Sequence, residues 1–168
     1  MSGSPNIRNA SRPCRTCCAW PYSARSAVAN CSICVGMIAV RIYRSRYWLQ
    51  PRFDLVDDVS PALADRLFDI GANTGQATGV RFLQRALNVL NQNARVFPDI
   101  AVDGGIGAMT MSALKSFLAM RGADGHRVLL GMVAAQQSVY YIECAEKRPE
   151  NETFEYGWQL NRALGVRA

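Results

Sequence analysis

Between Phe68 and Thr110 two turn signatures bracket one stripe of apolar residues of helical length, and that order leaves few ways for the chain to fold. The first signature is Asn73-Thr74-Gly75. Asparagine and glycine tolerate the positive backbone angles that end one helix and aim the next, so a helix is expected to stop near Gly71. Val80, Leu83, Leu87 and Leu90 then recur at three- and four-residue steps, with Phe82 and Ala86 widening the stripe, as one buried helical face requires. Gln84, Arg85 and Asn88 are expected to face outward. The second signature, Asp103-Gly104-Gly105-Ile106-Gly107, precedes Thr110 and the apolar positions Met111, Leu114, Phe117 and Leu118. A carboxylate there bonds the turn backbone, the glycines relieve its strain, and Ile106 plugs the turn into the core.

The flanks continue in the same period. Val35, Ile38, Ala39, Ile42 and Tyr43 are spaced as one helical face that runs on through Tyr47 and Trp48 to Pro51. Asp54, Asp57 and Asp58 lead into Ser60-Pro61, a capping hydroxyl with proline at the first helical position, and Leu63, Ala64, Leu67 and Phe68 supply the buried face. Asn91 to Ile100 is polar and contains Pro98, which reads as a surface loop. A helix is expected from about Ala108 to Arg121, stopped by Gly122-Ala123-Asp124-Gly125, with Asp124 capping another that runs to about Lys147 through Leu129, Met132, Val133, Gln136, Tyr140 and Ile142. Cys144 reads as a buried free thiol on that helix, and the lone His126 in its first turn as a surface residue. A short terminal helix carries Phe154, Trp158 and Leu164, expected to close the core. No stretch alternates apolar and polar residues as a strand does, so the fold class is all-α.

Asp69 with Asn73 and Gly75, then Leu83-Gln84-Arg85-Ala86-Leu87, then Asp103-Gly104-x-Ile106-Gly107-x-x-Thr110, resembles the predicted peptidoglycan-binding module in the C-terminal part of glycoside hydrolase family 108, the phage-type muramidases that include endolysins and secretion-associated enzymes. Ile42-Tyr43-Arg44-x-x-Tyr47-Trp48 is similar to the segment that joins the family's catalytic part to this module, and Phe154-x-x-Gly157-Trp158 with Arg162 is similar to its ending. The family pattern places that arginine about three residues after the tryptophan; here the spacing is four. The resemblance covers residues 39–168 and implies a small helical module like the C-terminal part of a lysozyme-like muramidase, with peptidoglycan glycan strands as partner and no cofactor. It also implies a catalytic glutamate in a Glu-Gly-Gly motif upstream of the matched region. This sequence contains no Glu-Gly-Gly and its first glutamate is Glu143, so no catalytic residue carries over and the chain is expected to bind rather than cut. Cleavage of a glycosidic bond needs a carboxylic acid to protonate the leaving oxygen, and Glu143, Glu146, Glu150, Glu152 and Glu155 read as solvated charges. The candidate glycan-facing residues are Asp69, Asn73, Asp103, Thr110, Trp48 and Trp158; the alternative for Asp69 and Asn73 is capping of the following helix, and for both tryptophans a place in the core.

Residues 1–38 differ in composition. The net charge of +6 arises before Asp54, where eight arginines meet no acid, whereas eleven basic residues face thirteen acidic ones from there on. Cys14, Cys17, Cys31 and Cys34 make two Cys-x-x-Cys pairs, a thiolate set that suits tetrahedral zinc, but with thirteen intervening residues and no glycine in either pair. The apolar run from Ala27 to Val40 is interrupted by Asn30 and Ser32, lacks a small-residue cleavage site and is too short to span a bilayer. Neither aromatic interleaving nor an amphipathic period supports nucleic-acid binding. This head is expected to be poorly ordered and no evolved folding segment, as a shifted reading frame or misplaced start would produce, and the product to be cytoplasmic as synthesised, acting at the cell wall if functional.

Overall fold

The structure is a computed structural model that describes residues 40–165; the head through residue 38, with its four-cysteine set, lies outside the described residues. The chain divides into two compact units, Met1–Gln50 and Pro51–Ala168. In the first, residues 40–49 are helical and end in a π-helical turn, Arg44–Leu49. Of the expected apolar face, Ile42 and Tyr43 are 47% and 49% exposed, and no described residue of this unit is buried; Val35, Ile38 and Ala39 lie outside the described residues. The Tyr43 and Tyr47 rings instead lie against each other, 5.2 Å between centroids.

The second unit holds five helices, α1 (Phe53–Asp57), α2 (Pro61–Thr74), α3 (Gln76–Leu90), α4 (Ala108–Lys147) and α5 (Glu152–Trp158), and the described residues contain no strand. The all-α expectation holds. The short α1 was not legible as a helix, because five residues are too few to show a period, yet it buries Phe53 and Val56 completely. Asp54 and Asp57 belong to it rather than to the approach of α2. The cap of α2 is as expected: the Ser60 hydroxyl accepts from the Leu63 N–H at 3.3 Å, with Pro61 in the first position.

Where α2 ends differs from the expectation. The helix runs through Gly71 to Thr74, because Gly71 serves close packing rather than a stop: a methyl there would come within 3.3 Å of the Gln76 backbone and 3.4 Å of the Phe53 ring. The actual break is Gly75, at φ +99°. Asn73 and Thr74 finish the helix from within, each bonding the carbonyl four residues back, Asp69 O at 2.6 Å and Ile70 O at 2.9 Å, so the last turn's orphan acceptors are satisfied by side chains. Neither Asp69 nor Asn73 caps α3, whose N-cap is Gly75. Gly79 then lets α3 approach α2, where a Cβ would stand 3.3 Å from both Ile70 and the Leu67 carbonyl. Leu63, Leu67, Ile70, Leu83, Leu87, Leu114, Phe117 and Leu129 form the resulting core.

The two helices expected on either side of Gly122 are both present, following one another directly across a kink at that residue within Ala108–Lys147. Gly122 adopts φ 55°, ψ −141°, a non-helical combination open to glycine, and the helical path is interrupted there. Gly125 is the second glycine the kink requires, since a Cβ at that position would sit 2.2 Å from the Arg121 Cβ. Asp124 does not cap; it pairs with Arg127 at 2.6 Å, both side chains largely exposed.

Beyond α4 the chain turns through Pro149–Asn151 into α5 and closes with a π-helical turn, Gln159–Ala163. A π-helical turn holds one residue more than an α-helical turn reaches, so this turn takes up the one-residue excess between Trp158 and Arg162. The shifted register also changes what is buried. Phe154 and Leu164, expected in the core, are 57% and 68% exposed, and Ala163 takes the inward position. Cys144 is free, as expected, but only half-buried.

Candidate functional site

Asp69 lies in the last turns of α2, where its carboxylate points to the C-terminal segment. Arg162 Nη1 donates to Asp69 Oδ1 at 2.5 Å, and Gln137 Nε2, from the second half of α4, donates to Oδ2 at 3.4 Å. Gln137 has no exposed surface; its Nε2 also reaches the Tyr141 hydroxyl oxygen at 3.0 Å. One turn before Asp69, Arg66 Nη1 donates to the carbonyls of Arg162 and Ala163 at 2.5 and 3.3 Å, and to Gln137 Oε1 at 3.4 Å. The Tyr141 ring lies 5.4 Å from Trp158, which stacks at 6.0 Å and 25° on Phe154. Burial raises the Tyr141 phenol above its ordinary value of 10.0, with the nearby Asp69 charge adding to it, so the hydroxyl remains protonated. Three elements distant in sequence thus meet here, linked through the buried Gln137 and Tyr141.

Sequence reading had singled out Asp69, Asn73 and Trp158 separately, and the structure brings them to this one face. Asn73 adds a long contact to Asp69 Oδ1 at 3.5 Å. Arg66, Gln137 and Tyr141 were missed. Their signal was an amide inside an apolar stripe: Leu129, Val133, Gln137, Tyr141 and Ala145 are all buried at four-residue steps, and a buried amide needs partners.

Asp103 and Thr110 are elsewhere and do different work. The expectation that Gln84 faces outward is wrong: it is 1% exposed and lies at the centre of the turn. Its Nε2 donates to Asp103 Oδ1 at 2.8 Å, Gly105 O at 3.0 Å and Thr110 Oγ1 at 3.3 Å, while its Oε1 accepts from the Gly104 N–H at 2.9 Å. Asp103 Oδ1 also accepts from the Gly105 N–H at 2.8 Å, and these two bonds hold its carboxyl below the ordinary 3.8. Asn88, likewise expected outside, exchanges two bonds with the Ile100 backbone at 2.8 and 2.9 Å. Both amides turn inward because the loop from Asn91 to Gly107 packs on that side of α3 and brings unpaired backbone groups with it. Asp103 and Thr110 are therefore committed to the turn rather than offered to a ligand. Trp48 sits in the first unit, half-buried.

A second feature is an open groove of about 640 Å³ lined by Val59, Pro61, Leu118, Ala123 and Arg127, with Ser60 Oγ 2.5 Å from His126 Nε2. His126, read as a surface residue, is half-buried and ties the start of α2 to α4. A hydroxyl against an imidazole has the form of a nucleophile and its base, but Ser60 is 3% exposed and its oxygen already caps α2. Among the described residues no group of three or more His, Cys, Asp or Glu could hold a metal ion, and no helix is long and apolar enough to cross a membrane.

No curated protein matches this chain in sequence. The sequence pattern of a domain family, described as Predicted Peptidoglycan domain, matches residues 78–163, which takes in all but the first two residues of α3, all of α4 and α5, the Gln84 turn, Trp158 and Arg162. On that match, which spans half of the sequence, the chain belongs to the predicted peptidoglycan domain family.

Proposed function

We propose that this chain binds peptidoglycan through the face formed by Asp69, Asn73, Arg162 and Trp158, without cutting it, and that it derives from the C-terminal part of a phage-type muramidase. The observation that carries the reading is the family match over 78–163 together with the meeting of α2, α4 and the C-terminal segment around Asp69 and Trp158. The absence of Glu-Gly-Gly from the sequence supports the non-catalytic half. So does the placement of Glu143, whose carboxylate pairs with Lys147 at 3.6 Å on an exposed flank of α4. A hydrolytic acid works from a pocket closed around its substrate, whereas Glu143 lies on an exposed helix flank. On this reading the chain acts where peptidoglycan is, at the cell wall.

The test is sedimentation of the full chain with insoluble sacculi while turbidity is followed in the same tube. Binding without clearing is expected, reduced in Asp69→Ala and Arg162→Ala. Clearing would replace this reading with that of a working muramidase. That second reading has one observation in its favour: the composition changes sharply at the head and the family resemblance resumes near Ala39. Translation of the upstream DNA in three frames decides it, since a Glu-Gly-Gly lobe in another frame would identify the enzyme.

A further inference from the structure

From Val128 to Ile142 the second half of α4 carries no charged residue, fifteen positions in a row. Its amides and hydroxyls turn into the unit. Gln136 Nε2 donates to the Phe82 carbonyl at 2.9 Å, Gln137 Nε2 to Asp69, and Ser138 Oγ to Gln159 Oε1 at 2.7 Å, while the Tyr140 and Tyr141 rings lie against Phe82 and Trp158. What the run shows to solvent is apolar. Val128, Val139 and Ile142 are 49%, 52% and 45% exposed, with Gly131 and Ala135 exposed between them. At about 100° per residue, these five fall within about 40° of one line, and that line is about 21 Å long. On α3, by contrast, Arg81 and Arg85 stand among the exposed positions. A helix that is apolar on its outer side as well as its inner one has the pattern of a helix packed on both.

The stripe is complementary to itself. Turned end for end about Ala135, it sets Gly131 opposite Val139 and Val128 opposite Ile142, so a bulky side chain meets a position that has none. The space over Gly131 is open, since a Cβ there would meet nothing within 4 Å. The exposed charges that flank the stripe within α4 favour the same direction. Before it stand Arg121, Asp124 and Arg127, two cations and one acid; after it stand Glu143, Glu146 and Lys147, two acids and one cation. Antiparallel pairing brings the net-positive end of one copy to the net-negative end of the other, whereas parallel pairing sets like on like.

We propose that this stripe is the interface of a homodimer, in which the second half of α4 packs antiparallel on the same segment of a second copy across a twofold axis near Ala135. The inference does not depend on the peptidoglycan reading. A contact one helix wide is smaller than a standard interface, so pairing is expected on the order of tens of micromolar. Sedimentation equilibrium of the full chain tests it, from about 5 to about 500 μM, in a reductant that keeps its six cysteines from cross-linking. The average mass is expected to rise from one chain to two. Val139→Glu should weaken pairing about tenfold or more, because each dimer would bury two unpaired carboxylates. Val89→Glu, at the 70% exposed Val89 of α3, should leave it unchanged. Both positions face solvent in the single chain, and unchanged far-ultraviolet circular dichroism would verify that both variants fold. Gly131→Val should also weaken pairing, by collision with Val139 of the second copy, and Val139→Gly added to the same chain should restore most of it. A single-chain mass at every concentration would overturn the inference, as would a dimer that Val139→Glu leaves intact. A dimer that Val139→Glu breaks and the exchange of Gly131 and Val139 does not restore would overturn the antiparallel arrangement.

Discussion

At the scale of single residues, Gln84 shows how one amide can organise a turn. Each of its two polar atoms is used, and its partners include an amide and a carbonyl of a segment that would otherwise bury them unpaired. Gln84→Ala should therefore cost about 2–4 kcal/mol, by equilibrium urea unfolding, more than an exposed polar residue of α3 such as Arg85. Asp103 adds a pH dependence with a definite sign. The Gln84 amide first, and the Gly105 N–H second, lower its folded-state value below 3.8. The unfolded chain then takes up the proton before the folded one, so the stabilisation is fully present above the ordinary value and lost as pH falls through the depressed one. Unfolding of the wild type and Asp103→Asn from about pH 5 to about pH 2 should show the variant less sensitive over that window. Parallel acid limbs would show that Asp103 does not contribute. The Asp-Gly-x-Ile-Gly turn was readable in the sequence because each of its residues has a local job. Gln84 was not readable, since its job depends on a loop nineteen residues away that periodicity places on neither side of the helix.

At the scale of elements, the glycines separate what the sequence shows from what it hides. A glycine in a helical pattern reads as a stop, and that reading succeeded at Gly75 and at Gly122, where non-helical angles separate two helices, and failed at Gly71. The difference lies in neighbours: Gly71 and Gly79 are small so that another helix can come close, and no local pattern records that. The same comparison yields opposite predictions along α4. A methyl at Gly131 would meet nothing within 4 Å, so Gly131→Ala should stabilise the chain by about 0.5–1 kcal/mol through helix propensity alone. Gly125→Ala puts its Cβ on Arg121 and must open the kink, and should destabilise by about 1–3 kcal/mol. Thermal melts of the two variants beside wild type test both signs; a stabilised Gly125→Ala would mean that the kink relaxes freely.

At the scale of the whole second unit, the candidate face exists only because the C-terminal segment folds back onto α2. The sequence named Asp69, Asn73 and Trp158 as separate candidates, and nothing in their spacing says that Asp69 and Arg162, 93 residues apart, form an ion pair. Arg66 holds that closure. Its guanidinium reaches the carbonyls of Arg162 and Ala163, at the end of a helix where backbone acceptors lack partners and a cation is favoured. Arg66→Ala should release the segment, with a stability loss of about 1.5–3 kcal/mol, because charged donors to orphan carbonyls are among the stronger hydrogen bonds of a fold. Amide hydrogen exchange is expected to rise over Gln159–Ala163 and not over α3. Sacculus binding should fall in the same variant, although Arg66 is not among the residues of the proposed binding face. Arg66→Lys makes the test sharper: an ammonium keeps the charge but lacks the fork that spans two carbonyls, so partial closure and intermediate binding are expected. If Arg66→Ala loosened the segment and left binding intact, the ligand would lie away from the junction of α2 and the C-terminal turn, and the face assembled around Asp69 would be a structural seam.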